Sequence, residues 1–258
     1  MKIAVCAPSY KRPKVKTLEY LPFCRIYVDP SEYARYKKEN PGADIVMCRS
    51  GVQGNLARVK NYILDQELIG AGDDAVVIID DDMNHMGYYE ELKKHRLPTE
   101  DFMAFVEKYT VMAQDIGAKM WGVNVNSDPQ CYRNCSPFST ISYVGGPFGC
   151  FLRGNECRYD ETLPLKEDYD MTIQQLNKYR VLLRVNKYHY AVKQSEQSGG
   201  CAAMRNFARE KEQLELLQKK WGKRIVRLDT LDRNHKRKKD RITTFDYNPV
   251  IRVPIKGI

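Results

Sequence analysis

The 258-residue sequence predicts an α/β fold with a mixed, mostly parallel sheet flanked by helices on both faces. Two observations support this prediction. Short apolar runs alternate with stretches of helical periodicity, which is typical of parallel strands joined by helices. Residues 75–79 are apolar throughout, as expected of a strand that is buried on both faces. A chain of this length can bury its core as one domain.

The pattern assigns most of the chain to strands or helices. Strands are predicted at residues 2–8, 24–30, 43–49, 75–79, 120–126, 148–154 and 181–192. Helices are predicted at residues 31–40, 54–70, 98–118, 166–179 and 206–222. Residues 127–147 have a loop-like composition, and no strand or helix is assigned to residues 83–97.

Composition restricts the classes of partner. The formal net charge is +9, with six Lys or Arg in the nine positions 233–241 and four in the seven positions 10–16. Basic runs are usually solvated surface, but they equally favour nucleic acid or another polyanion as a partner. No apolar run approaches the roughly 20 residues that cross a bilayer. The short apolar stretch at the amino terminus is no signal peptide core, so we expect a cytoplasmic protein with no membrane partner.

Three consecutive aspartates, Asp80, Asp81 and Asp82, directly follow the buried strand at residues 75–79. They are therefore expected at the carboxyl edge of the sheet, where open α/β sheets bind ligands. If the chain stays extended, Asp80 and Asp82 share one face and Asp81 points to the other. Hard divalent ions bind a few carboxylates together with phosphate oxygens, so Mn²⁺ or Mg²⁺ bridging a diphosphate is the expected cofactor.

A second acidic group, Glu167, Asp168 and Asp170, opens the helix predicted at residues 166–179. These acids can simply favour the positive end of the helix. Alternatively, Asp168 can act as a general base that deprotonates an acceptor hydroxyl group. The two interpretations are compatible with each other.

Five stretches follow one another along the chain: "APSYKRP", "GNLARVKN", "VVIIDDDM", "GGPFGCFLR" and "ETLPLKEDYD". Taken together, over about residues 3–195, they resemble the GT-A glycosyltransferases, nucleotide-sugar enzymes with a DxD metal motif and a later ED motif. Within that superfamily the chain looks most like the phage-type TET-associated glycosyltransferases, which are thought to glycosylate hydroxymethylated pyrimidines in DNA. We therefore expect a GT-A-like catalytic domain at residues 1–223, followed by a basic extension at residues 224–258 that packs on this domain or extends from it.

The resemblance also implies a donor site for a nucleotide-sugar, expected to be a UDP-sugar. Residues that it assigns to the nucleotide pocket are Ala7, Pro8, Ser9, Tyr10, Arg12, Asp29, Arg58, Asp80 and Asp81. Asn61 follows Arg58 in an "ARN"-like element that is interrupted here by Val59 and Lys60. Gly145 and Gly146 would let the backbone approach the sugar, because no Cβ intrudes there.

The remaining implied roles concern the metal, the diphosphate and the acceptor. Asp80 and Asp82 would hold the metal and Asp168 would be the base, acting on a DNA acceptor. His189 would be a third metal ligand, although a lone His in a strand is more often a packed side chain. Arg205 would clamp the diphosphate through its guanidinium group.

Two rival functions remain compatible with the sequence. A nucleotidyltransferase also uses paired carboxylates and a metal, but its substrate is attacked at the α-phosphate. A non-catalytic nucleic-acid-binding protein would account for the basic runs and would leave the acidic triplet without a purpose. The sequence leaves the sugar, the stereochemical outcome and the oligomeric state open.

Overall fold

The computed structural model describes residues 1–192, 205–228 and 247–253. Its main sheet contains β1 (Ile3–Pro8), β2 (Arg25–Val28), β3 (Ile45–Met47), β4 (Ala75–Ile79), β5 (Met83–Glu90), β6 (Lys93–Arg96), β7 (Met120–Asn124), β8 (Phe138–Ser139), β9 (Phe148–Leu152) and β10 (Leu183–Val192). The helices are α1 (Tyr33–Glu39), α2 (Leu56–Leu64), α3 (Phe102–Asp115), α4 (Glu167–Tyr179) and α5 (Phe207–Trp221). A second, two-stranded sheet pairs β11 (Val226–Leu228) with β12 (Pro249–Ile251).

The main sheet has the strand order β3-β2-β1-β4-β9-β7-β10-β5-β6, with β8 paired to β10. Pairing is parallel from β3 to β4 and between β7 and β10. It is antiparallel where β9 separates β4 from β7, and again at β5, β6 and β8. The prediction of a mixed, mostly parallel sheet is therefore confirmed.

Helices cover both faces of this sheet, as predicted. Along β4, Val77 packs in the core on the side of α1 and α3, whereas Val76 and Ile78 pack on the side of α2 and α4. All five side chains of β4 are buried. The apolar run at residues 75–79 is thus explained by burial on two faces.

The sequence pattern does not predict the hairpin β5–β6. Its tight turn places Glu91 and Leu92 at positive φ values of 48° and 61°. Turns of this kind are usually marked by Asn or Gly, which tolerate positive φ, so the sequence carried no turn signal here. The hairpin lies at the far edge of the sheet and pairs with β10.

The β11–β12 pair packs beside α4 and α5. Val226 is fully buried in a small core with Leu163, Ile173 and Leu217, and Ile251 packs against it. In addition, the buried Lys166 Nζ donates to Asn248 Oδ1 at 3.0 Å, which ties the segment before β12 to the start of α4. The basic run at residues 233–241 lies outside the described residues.

The carboxyl ends of β1, β2, β4, β7 and β10 share one edge of the sheet. The chain enters β5 and β9 at that same edge, since both strands run the opposite way. Within the described residues, no helix combines the length and apolar character that crossing a membrane requires.

Candidate active site

The acidic triplet lies at the carboxyl end of β4, as predicted, but the chain does not stay extended through it. Asp81 and Asp82 form a turn that leads into β5. Buried Thr17 fixes this turn: its backbone N–H donates to the Asp81 carbonyl at 3.1 Å, and its Oγ1 donates to the Asp80 carbonyl at 2.6 Å. The Met83 N–H in turn donates to Thr17 Oγ1 at 2.9 Å. Nothing in the sequence pattern singled out Thr17.

The turn brings Asp81 and Asp82 to the same cation. Arg12 Nη1 lies 2.9 Å from Asp81 Oδ1 and 3.4 Å from Asp82 Oδ2. Ser9 Oγ donates to Asp81 Oδ2 at 2.5 Å. The expectation that Asp81 points away from its neighbour Asp82 is therefore wrong, because residues 81 and 82 are in a turn rather than in a strand. Ser9 and Arg12, both assigned to the nucleotide pocket, lie against the acids.

Burial makes all three aspartates resist ionisation. It raises the pKa of Asp82 to about 7, with the charges of Asp80 and Asp81 adding to the effect. The pKa values of Asp80 and Asp81 are also raised, again mainly by burial. Arg12 opposes this shift at each acid without cancelling it. The triplet is thus a partly desolvated group of like charges that a cation would stabilise.

Lys60, on α2, is a buried cation beside the triplet. It is 1% exposed, and its Nζ donates to Glu167 Oε1 at 3.0 Å and to the Gly146 carbonyl at 3.5 Å. Burial alone would lower the pKa of Lys60, but nearby carboxylates, with Glu167 first and Asp80 and Asp168 after it, raise it. The sequence carried a signal for this residue, because Lys60 falls on the buried face of α2.

The second acidic group divides into three separate roles. Glu167 faces Lys60, and burial raises the pKa of this carboxyl to about 7 despite that partner. Asp170 is fully buried and accepts hydrogen bonds from Trp221 Nε1 at 2.7 Å and Lys220 Nζ at 3.0 Å, so it joins α4 to α5. Asp168 is partly exposed and faces the carboxyl edge of the sheet.

Asp168 is held by neighbours on both carboxylate oxygens. Its Oδ2 accepts hydrogen bonds from the Tyr143 hydroxyl and from the Gly146 N–H, the latter at 3.0 Å. Its Oδ1 accepts from the Tyr169 N–H at 2.8 Å. The rings of Tyr143 and Tyr169 stack with centroids 4.3 Å apart, which fixes the phenol that contacts the carboxylate.

The glycine pair lies between the two acidic groups. A Cβ on Gly146 would come within 3.4 Å of Lys60 Nζ and 3.3 Å of Asp168 Oδ2. A Cβ on Gly145 would lie 2.7 Å from a methyl group of Val125, closer than real atoms approach. Close packing against Val125 therefore requires a glycine at position 145, whereas a Cβ on Gly146 would be tight against its neighbours without overlapping them.

The other residues assigned to the nucleotide pocket line the neighbouring strand ends. Ala7 and Pro8 are the buried last residues of β1. Tyr10 follows them, and its ring lies 4.9 Å from Lys11 Nζ. Asp29 follows β2, and its Oδ1 accepts a hydrogen bond from the Ser31 N–H at 3.0 Å. These residues share the edge with the triplet.

Arg58 and Asn61 on α2 make contacts that organise loops. Arg58 Nε lies 2.8 Å from Glu161 Oε2, and its Nη1 donates to the Gly51 carbonyl at 2.7 Å. The Asn61 side chain exchanges two hydrogen bonds with the Tyr159 backbone, at 2.8 and 2.9 Å. Asn61 therefore anchors the segment before α4.

His189 lies on β10, away from the triplet. It is 2% exposed, its ring packs 4.8 Å from that of Tyr89, and its Nδ1 lies 3.4 Å from the Tyr190 carbonyl. Burial lowers its pKa, and the charges that lower it further are Lys94 and His85. Its Nε2 has no hydrogen-bond partner among the residues that the structure describes. The structure does not bring His189 together with the triplet.

Arg205, at the entry to α5, forms an ion pair with the buried Glu210, its Nε lying 2.7 Å from Oε1. Glu210 also accepts from Lys166 Nζ at 2.5 Å. Arg205 is thus linked through Glu210 to Lys166, which directly precedes Glu167 at the start of α4. Arg205 therefore approaches the site from the side of α4. In the part of the chain that the structure covers, no three His, Cys, Asp or Glu side chains are grouped as a metal cage.

The first prediction concerns the charge of the triplet. Because the pKa of Asp82 rises from 3.8 in the unfolded chain to about 7, the folded state holds more protons between these pH values and loses stability as the pH rises through them. In EDTA, Asp82→Asn should therefore raise the free energy of unfolding at pH 8 by on the order of 1–3 kcal/mol. The gain should vanish near pH 4. Urea unfolding at both pH values measures it, and a gain equal at both would contradict the account.

The second prediction separates Asp170 from Asp168. Asp170→Asn should lower the free energy of unfolding by roughly 2–4 kcal/mol, because an amide cannot accept from all of the donors that surround this buried carboxylate. Asp168→Asn is the comparison on the same turn of α4 and should cost clearly less than Asp170→Asn, because Asp168 is partly exposed and water can replace part of what its carboxylate loses. Equal losses in urea unfolding would show that Asp168 is structural as well.

Comparison with known proteins identifies the family. A family model described as TET-Associated Glycosyltransferase matches residues 21–200. Among solved structures, S. aureus TarS 1-349 is similar at 13% identity over 73% of this chain and 60% of that chain, with a TM-score of 0.44. Glucosyl-3-phosphoglycerate synthase from Mycobacterium tuberculosis, in complex with Mn²⁺, UDP and glucosyl-3-phosphoglycerate, is similar at 12% identity over 75% and 72% of the two chains, with a TM-score of 0.46.

The chain spans only about 60% of the length of TarS 1-349. No protein of a curated reference set matched the sequence. The assignment therefore depends on the family model, which covers more than half of the sequence, and by that match the chain belongs to the TET-associated glycosyltransferase family.

Proposed function

We propose that the protein transfers a sugar from a UDP-sugar to a hydroxyl acceptor with the help of Mn²⁺ or Mg²⁺. The observation that supports this most directly is the pairing of two acidic groups across one edge of the sheet. Asp80 and its neighbours lie on one side and Asp168 on the other, joined through Lys60 and Gly146. Glycosyl transfer needs these two groups, one for the leaving diphosphate and one for the acceptor proton.

The triplet fits a divalent cation. Its carboxylates are partly desolvated and their pKa values are raised. The guanidinium group of Arg12 already places a positive charge against Asp81 and Asp82. We assign Asp80 and Asp82 as the protein ligands; the role of His189 as a third ligand stays a prediction. A small number of carboxylates is what Mg²⁺ and Mn²⁺ use when phosphate oxygens complete their coordination. When bound, the ion would neutralise charge on the departing diphosphate.

Asp168 is the proposed general base. Tyr143 and Gly146 hold its Oδ2, and Oδ1 accepts one N–H, from Tyr169, which leaves a lone pair of Oδ1 for the acceptor hydroxyl. As the acceptor oxygen bonds to the anomeric carbon, its proton passes to Asp168. The bond from that carbon to the diphosphate oxygen breaks, and UDP leaves.

The donor nucleotide is proposed to lie along the ends of β1 and β2. Ser9 and Arg12 contact the triplet, and Asp29 follows the neighbouring strand β2, so we propose that it contacts the base or ribose. The proposed pocket also includes Ala7, Pro8, Tyr10, Arg58 and Asp81. We also propose that Arg205 contacts the diphosphate. Its ion pair with Glu210 holds it beside α4.

DNA that carries hydroxymethylated pyrimidine is the proposed acceptor. The net charge of +9 supports a polyanionic partner. The family is described as TET-associated, which also favours this acceptor. Such an acceptor implies a cytoplasmic location, in the host cell if the chain is of phage origin. The family match favours glycosyl transfer over nucleotidyl transfer, the rival that shares the paired carboxylates and the metal.

The third prediction tests the chemistry. With Mn²⁺ and hydroxymethylated DNA, the protein should release UDP from at least one of a panel of UDP-sugars. Asp80→Asn, Asp82→Asn and Asp168→Asn should each lower turnover by about 100-fold or more, because each removes a metal ligand or the base. Asp115→Asn, an exposed position at the end of α3, is the control and should keep full activity. Absence of metal-dependent release with every donor would refute the proposal.

The fourth prediction tests the acceptor separately. Phosphate contacts release counterions, so the affinity for a hydroxymethylated duplex should fall by at least about tenfold between 50 and 200 mM salt. Fluorescence anisotropy with the full chain measures this dependence. Binding that is absent, or that does not change with salt, would remove DNA as the acceptor and leave the donor chemistry untouched.

A further inference from the structure

Tyr190 lies near the carboxyl end of β10, where it pairs with Met86 of β5. It is partly buried. Its phenol makes no hydrogen bond to any of the described residues, whereas the nearby Tyr143 hydroxyl donates to Asp168. Such a hydroxyl group pairs with water or with a ligand, because leaving it unpaired costs free energy. Tyr190 therefore has a polar group available for a ligand.

The Tyr190 hydroxyl points into the active site. A Cβ on Gly145 would lie 3.0 Å from the Tyr190 hydroxyl and 3.6 Å from the Tyr143 hydroxyl, so both phenols converge on this glycine. Gly146, the next residue, donates its N–H to Asp168. The two hydroxyls and the proposed base thus surround one short piece of backbone.

The charges that act on Tyr190 come from both acidic groups. Burial raises its pKa most, and the carboxylates of Asp80 and Asp168 raise it further. The phenol is therefore protonated at neutral pH and can both donate and accept a hydrogen bond. Its position is between the acid at the donor side and the acid at the acceptor side.

We propose that the Tyr190 hydroxyl hydrogen bonds to a hydroxyl group of the transferred sugar and so helps to determine which sugar the enzyme accepts. This inference rests on the proposed function, since the transferred ring must lie between the leaving diphosphate and the base. Sugar hydroxyls both donate and accept, which matches a phenol. The diphosphate, by contrast, is better placed beside Arg12 and the proposed metal ion, whose positive charges offset its own.

Binding of the donor without acceptor tests this directly. In Mn²⁺, Tyr190→Phe should bind UDP as the wild-type protein does, and should bind the preferred UDP-sugar about 5- to 15-fold more weakly, the worth of one hydrogen bond. Tyr143→Phe is the matched control. Its hydroxyl contacts Asp168, so it should lower turnover and leave the ratio of UDP-sugar to UDP affinity unchanged. Isothermal titration calorimetry measures both affinities.

Deoxy analogues of the donor provide a second measurement on the wild-type protein. One singly deoxygenated UDP-sugar should bind more weakly than the parent by the same factor, and Tyr190→Phe should show no further loss with that analogue. Unchanged UDP-sugar affinity in Tyr190→Phe, or an equal loss of UDP affinity, would overturn the inference while the proposed function stands. Failure of the wild-type protein to bind UDP with Mn²⁺ would overturn both.

Discussion

Burial of like charges at the end of β4 is the constraint on which the site depends. An apolar strand covered on both faces delivers three carboxylates to the sheet edge, where their pKa values are raised. Thr17 fixes the backbone of this turn through three hydrogen bonds, and Arg12 contacts two of the side chains. Without a bound metal ion, this arrangement lowers the stability of the folded state. Groups that are unfavourable for folding in this way are typical of binding sites.

The second half of the site is built by α4 and its neighbours. Lys60 connects the halves, since it contacts Glu167 and Gly146 and acts electrostatically on Asp80. Asp170, on the far side of the same helical turn, holds α4 against α5. One short acidic run therefore contains a partner for a buried cation, a packing contact and the proposed base, and these differ only in the direction in which each side chain points.

The strand–helix alternation and the position of the triplet were predictable because burial on two faces leaves an unmistakable apolar run. The turn at Asp81 was not, since its geometry comes from Thr17, more than sixty residues earlier in the chain. The hairpin β5–β6 was hidden by a turn without Gly or Asn. Lys60 was visible in principle as a charge on a buried helix face, whereas the availability of Tyr190 depends on what surrounds it in space.

The most direct test of the central claim, that the triplet holds a divalent ion against a nucleotide diphosphate, is a crystal structure with UDP and Mn²⁺. We expect an ion bound by Asp80 and Asp82 and by oxygens of the pyrophosphate, about 2.0–2.3 Å from each ligand atom. The uracil and ribose should lie along the ends of β1 and β2. UDP bound elsewhere, or an ion that does not contact the triplet, would contradict it.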